Sequence, residues 1–263
     1  MKTALAAAAL PFIALALAPG LSAALYTGPV EYADGDVKLE GYVAYDPDIK
    51  GKRPGVLIFH EWTGLGPYEK SRAEQLARLG YVAFAADVYG LGVRPATPEE
   101  AAKEAGKYRQ NRALLRSRAG AALLELRKLP QTDPDKTAAI GYCFGGGAAL
   151  ELARSGARLS GVASFHGNLD TPTPQDAKNI QAKIIAFHGA DDPYVSSAAV
   201  AGFQDEMRRG GVDWQLVLYG GAVHRFTNPA AGGDVKSGAA YDKAADRRSW
   251  RALLDFFAEI FGQ

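Results

Sequence analysis

Cys143 is the only cysteine of the chain, and it stands in the run Gly141-Tyr142-Cys143-Phe144-Gly145-Gly146-Gly147. A nucleophile with glycine two residues before it and two after has the spacing of a sharp strand-to-helix turn. The flanking positions of such a turn must be tiny, because backbone packs on backbone there. The turn lifts the nucleophile above a sheet edge and sets it at a helix N-terminus. Unpaired N–H groups and the positive dipole end at that place favour a thiolate and a developing oxyanion. Two further residues would complete the chemistry. Asp192 lies in His188-Gly189-Ala190-Asp191-Asp192-Pro193, with Asp191 as its adjacent competitor, and His224 lies in Gly220-Gly221-Ala222-Val223-His224-Arg225-Phe226. An imidazole can take a thiol proton and return it to a leaving alcohol, while a carboxylate holds the ring in the required tautomer and stabilises its cation.

These residues need a scaffold that brings them together, and the hydrophobic pattern supplies one. Val37–Tyr45 alternates as an antiparallel strand should, and residues 55–59 and Val82–Ala86 are continuous apolar runs, as in strands buried on both faces. Further strands are expected at residues 137–140, Gly161–Phe165, residues 184–187 and Trp214–Tyr219. Helical spacing covers residues 69–79, Arg112–Lys128, residues 145–154, 196–209 and 250–261. Thr97-Pro98-Glu99-Glu100 reads as another helix start, with proline at the first position and acids in the first turn. Residues 171–176 and 228–237 read as loops. Alternating strands and helices require a mostly parallel sheet with right-handed crossovers. Cys143, Asp192 and His224 each follow one of its strands.

The order nucleophile, acid, base is that of the α/β-hydrolases, and from about residue 42 to residue 257 the chain resembles the dienelactone hydrolase family. The resemblance is carried by His60-Glu61-Trp62 after the first buried strand, the Gly-Tyr-Cys-Phe-Gly-Gly elbow, Asp192-Pro193 and His224-Arg225-Phe226. It implies an α/β-hydrolase fold, with helices on both faces of a mostly parallel central sheet. It implies hydrolysis of small carboxylic esters or lactones through a thioester acyl-enzyme that water opens, without a cofactor. It further implies that Glu61 contacts the resting thiol and controls its ionisation, and that the backbone N–H groups of Trp62 and Phe144 form the oxyanion hole.

The chain also departs from the family pattern. Well-known members hold an anionic substrate with two arginines, one after an Asp-x-Tyr loop and one a few residues beyond the catalytic histidine. Here Asp87-Val88-Tyr89-Gly90-Leu91-Gly92-Val93-Arg94 brings Arg94 several positions late, Asn228 stands near the place of the second, and Arg225 adjoins His224. Neutral esters are therefore expected to be turned over at least as well as carboxylate-bearing analogues. Arg94 and Arg225 remain candidates for binding an anion, and Trp62, Tyr89 and Phe226 for lining an acyl pocket. His60, His166 and His188 also end strands. Their spacing matches no compact zinc motif, and they read as core or pocket-wall histidines, with no metal expected.

Composition narrows the rest. Thirty basic against 29 acidic residues give a net charge of +1. No basic block suggests a nucleic-acid partner; the expected partner is a small-molecule ester or lactone. Lys2 precedes an apolar run over residues 4–18, broken only by Pro11, and Pro19-Gly20 and Ser22-Ala23-Ala24 follow. This pattern predicts a signal peptide over residues 1–24 and a periplasmic or secreted product. A stable membrane anchor would need about 20 strongly apolar residues. Residues 25–263 then form a single α/β-hydrolase domain. Two other classes compete: an exported small-molecule-binding protein on the same fold, and a redox-active thiol protein. The first has no need of nucleophile, acid and base together, and the second lacks a resolving cysteine.

Overall fold

Apolar residues in the central strands are buried on both sides, so the chain must cover two faces of one sheet. The computed structural model describes residues 24–262 and shows how it does so; all of the expected signal segment except its last residue, Ala24, lies outside the described residues. Eight strands form the sheet: β1 (Tyr26–Asp34), β2 (Val37–Tyr45), β3 (Arg53–Phe59), β4 (Val82–Ala86), β5 (Thr132–Tyr142), β6 (Gly161–Phe165), β7 (Lys183–Gly189) and β8 (Trp214–Tyr219). Their spatial order is β1-β2-β4-β3-β5-β6-β7-β8. The pairs β1–β2 and β2–β4 are antiparallel, and every other pair is parallel.

The helices are α1 (Pro67–Arg78), α2 (Pro98–Gln110), α3 (Arg112–Lys128), α4 (Phe144–Arg154), α5 (Ser197–Gly210) and α6 (Lys243–Phe261). Alternation along the strands feeds two cores. Leu57, Phe59 and Val162 pack with Leu123 of α3, Leu150 of α4 and Phe203 of α5. Val56, Ile58 and Ile185 pack with Leu76 of α1 and Phe257 of α6 on the other face. A side-chain period of two in the strands and helices on both faces are one statement seen from two ends.

Three elements differ from the sequence expectation. β1 carries Gly28 and Pro29 and is mostly exposed, which hid it; as an edge strand it needs no continuous apolar run. β5 begins at Thr132, and a register shift at Pro54/Gly55 absorbs its polar Asp133-Pro134-Asp135 start. α6 begins seven residues before Trp250, because the Asp242 carboxylate caps the N–H groups of Ala244 and Ala245.

Candidate active site

Cys143 joins β5 to α4 with φ 55° and ψ −118°. A non-glycine residue there costs about 1–3 kcal/mol and persists only where its surroundings enforce it. The glycines do so by permitting contact. A Cβ on Gly141 would lie 1.9 Å from Gly145 O, and one on Gly145 would lie 2.3 Å from Phe59 O. Alanine at either position would force the turn open. The Cys143 N–H is shared by Phe165 O at 3.0 Å and His166 Nδ1 at 3.1 Å.

Cys143 is 6% exposed. Its Sγ lies 3.1 Å from His224 Nε2, and His224 Nδ1 lies 2.8 Å from Asp192 Oδ2. Asp192 Oδ1 accepts the Tyr194 N–H at 2.8 Å, which fixes the carboxylate behind the ring. Asp191 is exposed, and its side chain makes no hydrogen bond to His224. The His224 backbone is pinned at N by Gly238 O (3.1 Å) and at O by Ala240 N (3.0 Å). Burial disfavours the imidazolium, but the adjacent Cys143 sulfur and Asp192 outweigh it, and the His224 pKa is pushed up to about 10. The protonated ring is the form that these neighbours favour.

At the end of β3, His60 is fully buried, its Nδ1 lies 2.5 Å from Glu61 O, and its Nε2 accepts the Val88 N–H at 3.2 Å. The proton therefore sits on Nδ1 and holds the Glu61 carbonyl. In a trans peptide the N–H points opposite its carbonyl, which directs the Trp62 N–H away from His60. Phe144 N–H opens α4 and has no intrahelical partner.

Several expected placements are corrected. Glu61, anticipated against the resting thiol, is bound instead by Arg225 (Nε to Oε1 3.0 Å, Nη2 to Oε2 2.8 Å) and by Asn228 Nδ2 (2.8 Å). The hydrogen-bond partner of the thiol is His224. Arg225 lines the cavity at the thiol, but its guanidinium is committed to Glu61. Arg94 donates to Val93 O at 2.8 Å and lies 3.6 Å from Asp87 Oδ1, outside the cavity lining. Phe226 is fully buried against His166 and Tyr219, so it is core. Tyr89 is also core: its hydroxyl donates to Trp62 O at 2.9 Å, and its ring packs on His60 and Tyr108.

The cavity itself holds about 330 Å³ and is lined by Cys143, His224, Trp62 and Arg225, with Arg109, Asn168, Tyr194 and Ala239. The last four were not singled out in the sequence. Tyr194 follows Asp192-Pro193 and could have been inferred from that position. Arg109 and Asn168 carry no sequence signal, since only the packing of α2 and of the loop after β6 aims them inward. The Arg109 guanidinium lies 6.0 Å from the Phe144 ring centroid and has no carboxylate partner among the described residues.

The dienelactone hydrolase family model matches residues 39–261. A solved structure described as a dienelactone hydrolase-like promiscuous phosphotriesterase from metagenomic libraries has a TM-score of 0.85 and 41% identity, covering 90% of this chain and 99% of its own. An Aquifex aeolicus protein named for carboxymethylenebutenolidase is 30% identical, over 87% of this chain and 96% of its own. A Bradyrhizobium protein named for a 2-oxo-3-(5-oxofuran-2-ylidene)propanoate lactonase is 27% identical, over 75% of this chain and 84% of its own.

Proposed function

The chain belongs to the dienelactone hydrolase family, a family of ester and lactone hydrolases, and we propose that it works through a Cys143–His224–Asp192 triad and a thioester acyl-enzyme. The observation that carries this reading is the unbroken contact from Cys143 Sγ to His224 Nε2 (3.1 Å) and from His224 Nδ1 to Asp192 Oδ2 (2.8 Å). The thiolate attacks the substrate carbonyl carbon, a C–S bond forms, and the carbonyl oxygen becomes an oxyanion facing the N–H groups of Trp62 and Phe144. Collapse expels the alkoxide, which takes the proton from His224 Nε2. Water then attacks the thioester while His224 takes its proton. The C–S bond breaks, the acid departs, and the thiolate–imidazolium pair is restored.

Cys143→Ala tests the assignment. It should lower turnover of short p-nitrophenyl esters and small lactones by about 10⁴-fold or more, as nucleophile removal does in comparable triads. A variant that keeps a substantial fraction of wild-type turnover sinks the reading. The same assay panel should include a phosphotriester, because the neighbour at 41% identity is described as a promiscuous phosphotriesterase. The thiolate would there form an S–P bond and expel an alkoxide or aryloxide.

We also propose that the protein acts after export, on the strength of the apolar run at residues 4–18 and Ser22-Ala23-Ala24. Mass spectrometry of protein from its native host should find a mature N-terminus at or near Leu25. A soluble form retaining Met1 would contradict export.

A further inference from the structure

His166 takes no part in the steps above, yet it is fully buried and touches the site twice. It stands one residue past β6 with φ 39°, a left-handed conformation fastened by its own N–H donating to Phe187 O at 2.8 Å. Its Nδ1 lies 3.1 Å from Cys143 N. An amide nitrogen can only donate, so Nδ1 accepts, and in the neutral ring the proton sits on Nε2. Nε2 is 2.7 Å from Thr227 Oγ1, which accepts that proton's hydrogen bond. Thr227 is itself held by the Tyr68 hydroxyl at 2.6 Å, and Arg72 donates to both Tyr68 Oη (3.2 Å) and Thr227 O (2.9 Å). The second touch is to the base: the His166 and His224 ring centroids lie 5.4 Å apart, edge to face at 65°.

Phenylalanine would fill the same space beside Tyr142, Phe226 and His224 without the cost of burying an imidazole. What the imidazole adds is an acceptor at Nδ1 and a donor at Nε2. Both are used, and they point at the nucleophile's amide and at the loop that carries the base. Burial, together with the charges of His224, Arg225 and Arg72, holds the His166 imidazolium well below the usual histidine range. A neutral ring beside His224 lets the catalytic imidazolium form without a second positive charge against it.

We propose that His166 is a positioning residue of the reaction, holding the Cys143 amide in its strained turn and supporting the His224 ring, with Thr227 fixing the one tautomer that allows both. This rests on the Cys143–His224 reading above, and its test separates the two. His166→Phe keeps the ring packing and loses both hydrogen bonds. His166→Asn places an oxygen near the Nδ1 position and restores the acceptor for Cys143 N–H.

The two variants, with Thr227→Val beside them, would be compared with wild type by steady-state kinetics, near-UV circular dichroism and the rate of iodoacetamide alkylation against pH. Alkylation is clean because Cys143 is the only thiol in the chain. His166→Phe should lower kcat by about 10- to 100-fold through misplacement of the nucleophile, with KM nearly unchanged and alkylation slowed, and His166→Asn should recover most of that loss. Thr227→Val, which leaves the ring in place, should lower kcat by about 3- to 10-fold, again with KM nearly unchanged. The proposal is overturned if folded His166→Phe keeps wild-type kcat and alkylation, or if folded His166→Asn is as impaired as His166→Phe. Should both His166 variants fail to fold, unchanged kcat in Thr227→Val overturns it. A wild-type protein that hydrolyses no ester while alkylation responds as described would remove the hydrolase mechanism and leave the positioning role standing.

Discussion

Arg225 grips Glu61 with two guanidinium nitrogens, Nε at 3.0 Å and Nη2 at 2.8 Å, and so ties the loop carrying His224 to the end of β3. Asn228, three residues along the same loop, donates to the same carboxylate at 2.8 Å. Glu61 is thus a structural anchor for the base, and its charge is balanced before any substrate arrives.

Glu61→Gln removes that balance and leaves Arg225 without its partner. Partial burial of the pair points to a stability loss of about 2–3 kcal/mol, less than for a fully buried ion pair that loses one partner. Loosening the base loop should also lower kcat/KM for a neutral ester by about 10-fold. Urea unfolding and steady-state kinetics on the one variant measure both. If stability is unchanged and only the pH profile of Cys143 alkylation moves, then Glu61 acts on the thiol directly, as the family resemblance implied.

Substrate charge follows from where the arginines are spent. Arg225 is committed to Glu61, and Arg94 donates to the Val93 carbonyl beside Asp87. Arg109 lines the cavity and has no carboxylate partner among the described residues. Arg109 is exposed and water screens its charge, so neutral esters should be turned over at least as well as carboxylate-bearing analogues of the same leaving group. Whatever response to substrate charge exists should be lost in Arg109→Gln. A 100-fold preference for the anion, worth about 2.7 kcal/mol in the transition state, that survives Arg109→Gln would mean that Arg225 leaves Glu61 for the substrate.

Chain order and strand ends made the central residues legible. Cys143, Asp192 and His224 each follow an apolar strand, and parallel sheets gather the C-terminal ends of their strands at one edge. The directions of neighbouring side chains were not legible in this way. Arg225 and Phe226 are adjacent, yet one meets Glu61 and the other enters the core, because a positive φ of 57° at Arg225 redirects the chain there. Tyr89 sits in a loop that reads as pocket wall, but its hydroxyl is taken by Trp62 O. Arg109 reaches the cavity only because α2 packs against Tyr89 and Phe144 through Tyr108, a tertiary relation with no local signature.

Acid–base behaviour gives a separate check on the region behind Glu61. Glu69 is buried and accepts the N–H groups of Glu61 and Gly66, both at 3.0 Å. Burial first, and then the nearby Glu61 carboxylate, push its pKa up to about 7. A carboxyl raised in the folded state contributes stability that is fully present below its unfolded pKa and lost as pH rises through the folded value. Between the ordinary value of 4.5 and about 7, wild-type stability should thus fall by something on the order of 3 kcal/mol from this group. Urea midpoints measured at pH 5 and pH 8 should show that decline in wild type and a flatter dependence in Glu69→Gln. Equal slopes would show that Glu69 is not the group responsible.

The central claim is that Cys143 becomes acylated during turnover, and rapid acid quench followed by mass spectrometry tests it most directly. Wild-type protein mixed with a p-nitrophenyl ester of a slowly hydrolysed acid should gain one acyl mass, located on the peptide containing Cys143 and released by hydroxylamine as a thioester is. Cys143→Ala should show neither the adduct nor the burst of p-nitrophenol that accompanies it. A full burst with the acyl group on another residue, or steady turnover with no adduct in a variant lacking the thiol, would contradict the account.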